Sequence, residues 1–134
     1  MLLSEVKMVK AKHKIEVYPF SYNKIVGNIR KIDIHPYKKY LHNVGVGDMI
    51  EYINVETKDA TIREVKGVAL FDSFDTMLEM LPYKLIGYDN KNEIKVRIER
   101  MYTNGDEENG VMAIFIDEPK VKRLVKFRAL DRSA

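Results

Sequence analysis

Arg30-Lys31-Ile32-Asp33-Ile34-His35 alternates apolar and polar side chains, and this period of two points the fold toward strands. It predicts a strand with Ile32 and Ile34 on one face and Lys31, Asp33 and His35 on a second, polar face. Arg30 begins the opposite side. Upstream, His13 to Tyr18 repeats the alternation with Ile15 and Val17. Pro19 suits the first position of a short helix that Gly27 ends. Downstream, a loop rich in Tyr and Lys leads to Gly45-Val46-Gly47-Asp48, read as a hairpin turn, and Met49 to Val55 reads as a third strand. Ala60 to Phe71 is β-branched and long enough for a fourth, bent at Gly67.

Ser73 is a good N-cap for a helix carrying Phe74, Met77, Leu78 and Leu81, which Pro82 stops. Glu93 to Tyr102 places Ile94, Ile98 and Met101 at helical intervals, with Arg97 and Arg100 directed elsewhere. Asn104-Gly105 and Asn109-Gly110 flank an acidic turn before the apolar strand Val111 to Ile116. Val121 to Phe127 reads as a further strand or a helix. The order β-α-β-β-β-α-α-β is that of an α+β domain. Non-local strands of this length favour a small, partly open β-barrel with about three short helices at its rim.

The chain has 134 residues and a mass of 15.6 kDa, room for one domain spanning 1–134. Hydrophobic content of 46% beside 32% charged residues excludes general disorder. The absence of cysteine excludes disulfide scaffolds, zinc ribbons, iron–sulfur sites and thiol nucleophiles, and fits a reducing, intracellular setting. Glu5 and Lys7 interrupt any apolar signal-peptide core, and no run approaches the ~20 apolar residues of a membrane span. These features predict a soluble protein with no membrane partner, in cytoplasm or nucleus.

Net charge is +3 but unevenly spread. Lys7, Lys10, Lys12 and Lys14 outweigh Glu5 at one end, and Lys120, Lys122, Arg123, Lys126, Arg128 and Arg132 outweigh Asp131 at the other, so residues 15–118 are acidic overall. Basic ends on an acidic body suit an anionic partner, nucleic acid being the commonest, or are simply solvated.

His13, His35 and His42 lack the spacing of a helical metal site, and Asp106-Glu107-Glu108 lacks the alternating oxygens of a calcium loop. No metal and no cofactor is expected. There is no nucleophile elbow and no phosphate-cradling P-loop; Gly45 to Asp48 leads into a strand, without the helix dipole that binds phosphate. The segment from Arg30 through Lys38, Lys39 and Tyr40 sets cations beside aromatics. That arrangement suits RNA, cations meeting phosphates and rings stacking on unpaired bases; it equally suits an edge strand kept soluble by charge.

Pro19-Phe20, Ile25, Gly27, Arg30 to Asp33, Val46 to Ile50, Phe74, Tyr102 and Gly110 to Ile114, in this order and spacing, resemble the ASCH (activating signal cointegrator homology) domain, a relative of the PUA domain. The resemblance covers about residues 13–117, with a basic C-terminal segment of about 119–134 beyond it. It implies a PUA-like pseudobarrel with a cleft between the helices and the Gly27-to-His35 segment, and an association with RNA. Some bacterial members hydrolyse the amide of N4-acetylcytidine with a lysine, a threonine and a glutamate. Here the lysine position falls on Arg30, the threonine on Asp33 and a following arginine on His35; near the glutamate region, Ile86 to Asp89, only Asp89 is acidic. Arg30 stays protonated and cannot be a general base, and Asp33 offers no hydroxyl.

The expected function is therefore a non-catalytic RNA-binding module, for single-stranded or structured RNA, with DNA as a possible partner. Arg30, Lys31, His35, Lys38 and Lys39 would line the cleft, Asp33 would accept from a base amino group, Tyr40 or Tyr102 would stack, and Arg100, Lys122 and Arg123 would extend the track. The alternative is a small hydrolase of a modified nucleoside or nucleic acid, with Arg30, Asp33 and His35 as a rebuilt catalytic set and Arg30 stabilising an oxyanion. A weaker third reading is an adaptor that docks a protein through Val121 to Leu130.

Overall fold

The computed structural model describes residues 11–116. The N-terminal lysines 7 and 10, the reading of Val121 to Phe127, and Lys122 and Arg123 lie outside these residues. Five strands alternate with helices: β1 (His13–Val17), α1 (Pro19–Val26), β2 (Ile32–Pro36), β3 (Met49–Asn54), β4 (Ala60–Phe71), α2 (Phe74–Met80), α3 (Tyr83–Ile86), α4 (Lys91–Met101) and β5 (Val111–Ile116), with 3-10 turns at Lys39–Leu41 and Asn104–Glu107. The strands form one mixed sheet in the order β1-β3-β4-β5-β2; β1 and β3 are parallel and the other pairs antiparallel. Rim helices on a curled sheet make this an α+β pseudobarrel, as the sequence predicts.

Two apolar clusters explain the curl. One lies on one face of the sheet with Ile15, Val17, Ile50, Tyr52, Val65, Met112 and Ile114, closed by Tyr22 and Ile25 of α1. The other lies on the opposite face, where Ile32, Val111 and Ala113 pack against Phe74, Met77, Ile86 and Ile94 of the helices. Alternate residues of β5 therefore enter different cores, and all but Phe115 are buried. The bend in β4 is a break in register between Val65 and Gly67. It lies where a strand must change curvature to serve both clusters.

The helix caps follow the sequence. The Ser73 hydroxyl accepts from the Thr76 N–H, and the Asn90 side chain accepts from the Glu93 N–H. Three expectations need correction. A fourth, short helix, α3, follows Pro82, which suits a helix N-terminus as well as a stop; Gly87 closes it at φ +107°, a left-handed conformation glycine takes without strain. Gly45 to Asp48 is a β-turn closed by the Asp48 N–H on the Gly45 carbonyl, but it leads from a 3-10 turn into β3 and joins no paired strands. Finally, β2 has no exposed polar face. Asp33 pairs with Ile114 and His35 with Met112, so both turn inward and are buried, while Ile32 and Ile34 pack beneath the helices. A strand in a two-cored fold has no solvent side, and its polar residues are buried only because they partner one another. Among the described residues no helix is long and apolar enough to cross a membrane.

Candidate ligand cleft

The edge strands β1 and β2 converge at the open end of the barrel, and a cleft of about 200 Å³ lies between them beneath α4. Arg30, Asp33 and His35 form its polar floor, Tyr40 and Tyr102 stand on its walls, and Ile94 and Ile98 of α4 contribute an apolar side. Glu16 also reaches it.

The floor is built by an alternating strand entering a barrel mouth. Asp33 Oδ2 lies 2.5 Å from His35 Nε2, and Asp33 Oδ1 lies 3.9 Å from Arg30 Nη1. The carboxylate is only 1% exposed. Arg30 is fixed by donation from Nε to the Ile86 carbonyl at 2.9 Å and by a long contact from Nη2 to the Tyr88 hydroxyl at 3.4 Å. Nη1 makes neither of these bonds. Gly87 lies against this arginine: a Cβ there would come within 3.6 Å of Arg30 Cβ and 3.4 Å of Lys24 Cδ.

Burial by itself raises the Asp33 pKa, but the charge and hydrogen bond of His35, with the charge of Arg30, more than reverse it and hold the carboxyl below its usual value. Asp33 is thus an anion in the protein interior. Because an ionised carboxylate only accepts, His35 Nε2 carries the shared hydrogen. Three phenols surround the anion. Burial first, and then the Asp33 charge, raise the pKa of Tyr40, Tyr52 and Tyr102. The Tyr52 hydroxyl is fully buried and makes no hydrogen bond of standard geometry, though it feels the carboxylate. All three phenols therefore remain O–H donors at neutral pH.

Of the residues singled out from the sequence, Arg30, Asp33, His35, Tyr40 and Tyr102 converge here. Asp33 does so as a positioning group whose oxygens face His35 and Arg30. Lys31, Lys38 and Lys39 are exposed and do not line the cleft; Lys38 pairs instead with Asp106 at 3.2 Å, because the chain turns outward after Pro36. Arg100 borders a neighbouring depression. Asp89 is exposed. His13 bonds Asp48 at 2.9 Å, His42 stacks on Tyr37, and among the described residues no three His, Asp or Glu side chains gather as a metal site.

Sequence reasoning missed a ladder of cations and rings beside the cleft. The Arg97 guanidinium carbon sits 3.6 Å from the centroid of Phe20, Lys24 Nζ lies 4.7 Å from both Phe20 and Tyr88, and Arg30 lies 5.8 Å from Tyr88 on its way to the floor. Lys24 also donates to the Gly87 carbonyl. Its burial, followed by the nearby Arg30 charge, lowers the Lys24 pKa. The helical period places Arg97 off the Ile94–Ile98–Met101 line, but a long side chain reaches around to the cleft.

No family model and no curated protein matches the sequence itself. Solved structures do match. The chain is similar to the crystal structure of hypothetical protein PH0355, with 25% identity over 79% of this chain and 96% of that one at a TM-score of 0.65. It is similar to the solution structure of protein PF0455 from Pyrococcus furiosus, with 23% identity over 81% and 96% at 0.61. The ASCH protein from Zymomonas mobilis aligns at 14% identity over 79% of this chain and 68% of its own, with a TM-score of 0.56. Strand order, rim helices and these likenesses agree, and the chain has an ASCH-type fold.

Proposed function

We propose that the protein is a non-catalytic RNA-binding module that holds one unpaired base in the cleft between β1, β2 and α4. The observation that carries this reading is the Arg30–Asp33–His35 floor set beneath Tyr40 and Tyr102. At about 200 Å³ the space is below the ~300–1,000 Å³ of sites for drug-sized ligands, and it suits a single planar ring. Arg30 Nη1 and the tyrosine hydroxyls offer donors to base-edge acceptors. Tyr40, half exposed, supplies a face for stacking, a sequence-tolerant contribution of ~1–3 kcal/mol per base.

Fluorescence anisotropy with short single-stranded RNA, duplex RNA and matching DNA, at two salt concentrations, tests the reading. Preference for single-stranded RNA, lost in Tyr40→Ala, supports it; binding no better than to a neutral control at low salt refutes it.

The 2.5 Å Asp33–His35 contact favours a second reading, hydrolysis of an N-acylated nucleoside. His35, in its neutral form, would take a proton from water at Nδ1 as the oxygen attacks the acyl carbon, with Arg30 facing the developing oxyanion; collapse would break the C–N bond, and that proton would pass to the leaving amine nitrogen. Incubation with N4-acetylcytidine decides it: release of cytidine and acetate supports hydrolysis, and unchanged substrate ends it.

A further inference from the structure

A second depression, of about 410 Å³, lies on the other side of Arg97 from the cleft. The two share Arg97 and Tyr88, and Phe20 and Arg100 border the outer one. At 3.6 Å from the ring centroid the Arg97 guanidinium carbon is in van der Waals contact with the face of Phe20. No carboxylate lies within 4.0 Å of Arg97, Lys24 or Arg100 among the described residues. Phe20 is 42% exposed. A cation stacked on a ring, unpaired with any acid and forming the wall between two depressions, is a platform with one planar face unused.

We propose that this outer depression is a second nucleotide subsite. The base next to the one in the cleft stacks on the outer face of the Arg97 guanidinium, with Phe20 fixing that plane from behind. Guanidinium planes serve unpaired bases as aromatic rings do, and the fixed plane removes much of the ordering cost a free arginine would incur. Arg100, on the same rim, lies one turn along α4 and faces the backbone of the strand. Lys24 and Tyr88 hold Phe20 in register with the cleft floor, so the ladder sets the spacing between the two bases. The strand then leaves across α1 and α4 and not along the exposed lysines 38 and 39. This inference rests on the RNA reading of the cleft.

The test compares wild type, Arg97→Lys and Arg97→Ala by NMR titration. The probes are each of the four ribonucleoside 5′-monophosphates and each of the four homopolymeric tetraribonucleotides. Arg97→Lys keeps the charge and loses the plane. It should weaken tetranucleotide binding about fivefold or more beyond any loss of mononucleotide binding, and keep the salt dependence of wild type. Arg97→Ala should lose the same stacking, and Arg100→Ala, at the residue facing the backbone, should lower the slope of log K against log[salt] by ~0.7. Phe20→Leu, which keeps an apolar contact but no ring, should reproduce the Arg97→Lys pattern, and thermal melts confirm that each variant is folded. Equal binding of both probe lengths by wild type and Arg97→Lys overturns the second subsite and leaves the cleft reading standing. Equal loss for mononucleotide and tetranucleotide also overturns it, because Arg97 would then serve the first cleft alone. Failure of wild type to bind any tetranucleotide overturns the RNA reading, and this inference with it.

Discussion

Asp33 Oδ2 and His35 Nε2, two residues apart on β2, meet at 2.5 Å inside the barrel mouth. Side chains at i and i+2 share one face of a strand, and here that face is inward. The contact needs Arg30 as well, since a buried carboxylate without compensating charge would be strongly destabilising. The three residues therefore act as one unit, and truncating any of them disturbs both stability and the cleft.

Asp33→Asn leaves Arg30 buried without its counter-charge. We expect a loss of about 3–5 kcal/mol, the range for breaking a buried pair, read as a lower denaturant midpoint with an unchanged m-value. A loss below about 1 kcal/mol would show that the carboxylate is not ionised in the folded state.

The acid limb follows from the lowered Asp33 pKa. A carboxyl whose folded pKa lies below its unfolded value of 3.8 contributes stability that is complete above 3.8 and lost as the pH falls through the folded value. The stability gap between wild type and Asp33→Asn should thus hold near neutrality and narrow as the pH falls below 3.8 and through the lower folded value. Urea unfolding of both proteins across that range checks it, and a gap that widens in acid would reverse the sign of the assigned shift.

Gly87 sits at φ +107° with Lys24 and Arg30 against it. Gly87→Ala imposes a left-handed conformation on a residue with a Cβ, costing about 1–2 kcal/mol. The added methyl group also crowds the Lys24 stem at 3.4 Å. Chemical denaturation should show that loss, together with a change in the near-ultraviolet tyrosine signal as the Lys24–Tyr88 contact shifts.

Tyr40 is 53% exposed and meets His35 edge-on with ring centroids 6.5 Å apart. Tyr40→Ala should reduce single-stranded RNA affinity by ~1–3 kcal/mol while stability stays within ~0.5 kcal/mol. Tyr102→Ala is a poorer probe of the cleft, because Tyr102 stacks on Phe74 at 5.4 Å and its loss also loosens α2.

Local pattern made much of this legible. The period of two in His13 to Val17 and in Ile32 to His35, the Ser73 cap and the Gly67 bend each carry their meaning within a few residues, and each element forms near the place expected. The floor residues Arg30, Asp33 and His35 are likewise legible, because they sit on one short segment. Burial is not. Ile32 and Asp33 both face cores because β5 lies beside β2 and carries a different cluster on each side, a relation that arises only when residues 32 and 115 pair. The ladder is hidden for the same reason. Phe20, Tyr88 and Arg97 come from α1, the segment after α3 and α4, and no spacing in the chain announces their meeting. The exposed lysines 31, 38 and 39 show the converse, since adjacency in sequence to the floor does not place them in the cleft.

RNA recognition here depends on an unpaired base entering the cleft. The most direct test is an amide chemical-shift titration of the full chain with a short single-stranded RNA. A base held in the cleft produces saturable shifts centred on Arg30, Asp33, His35, Tyr40 and Tyr102, with the α2 face unmoved. No shifts at millimolar RNA, or shifts that leave β2 unmoved, would contradict it.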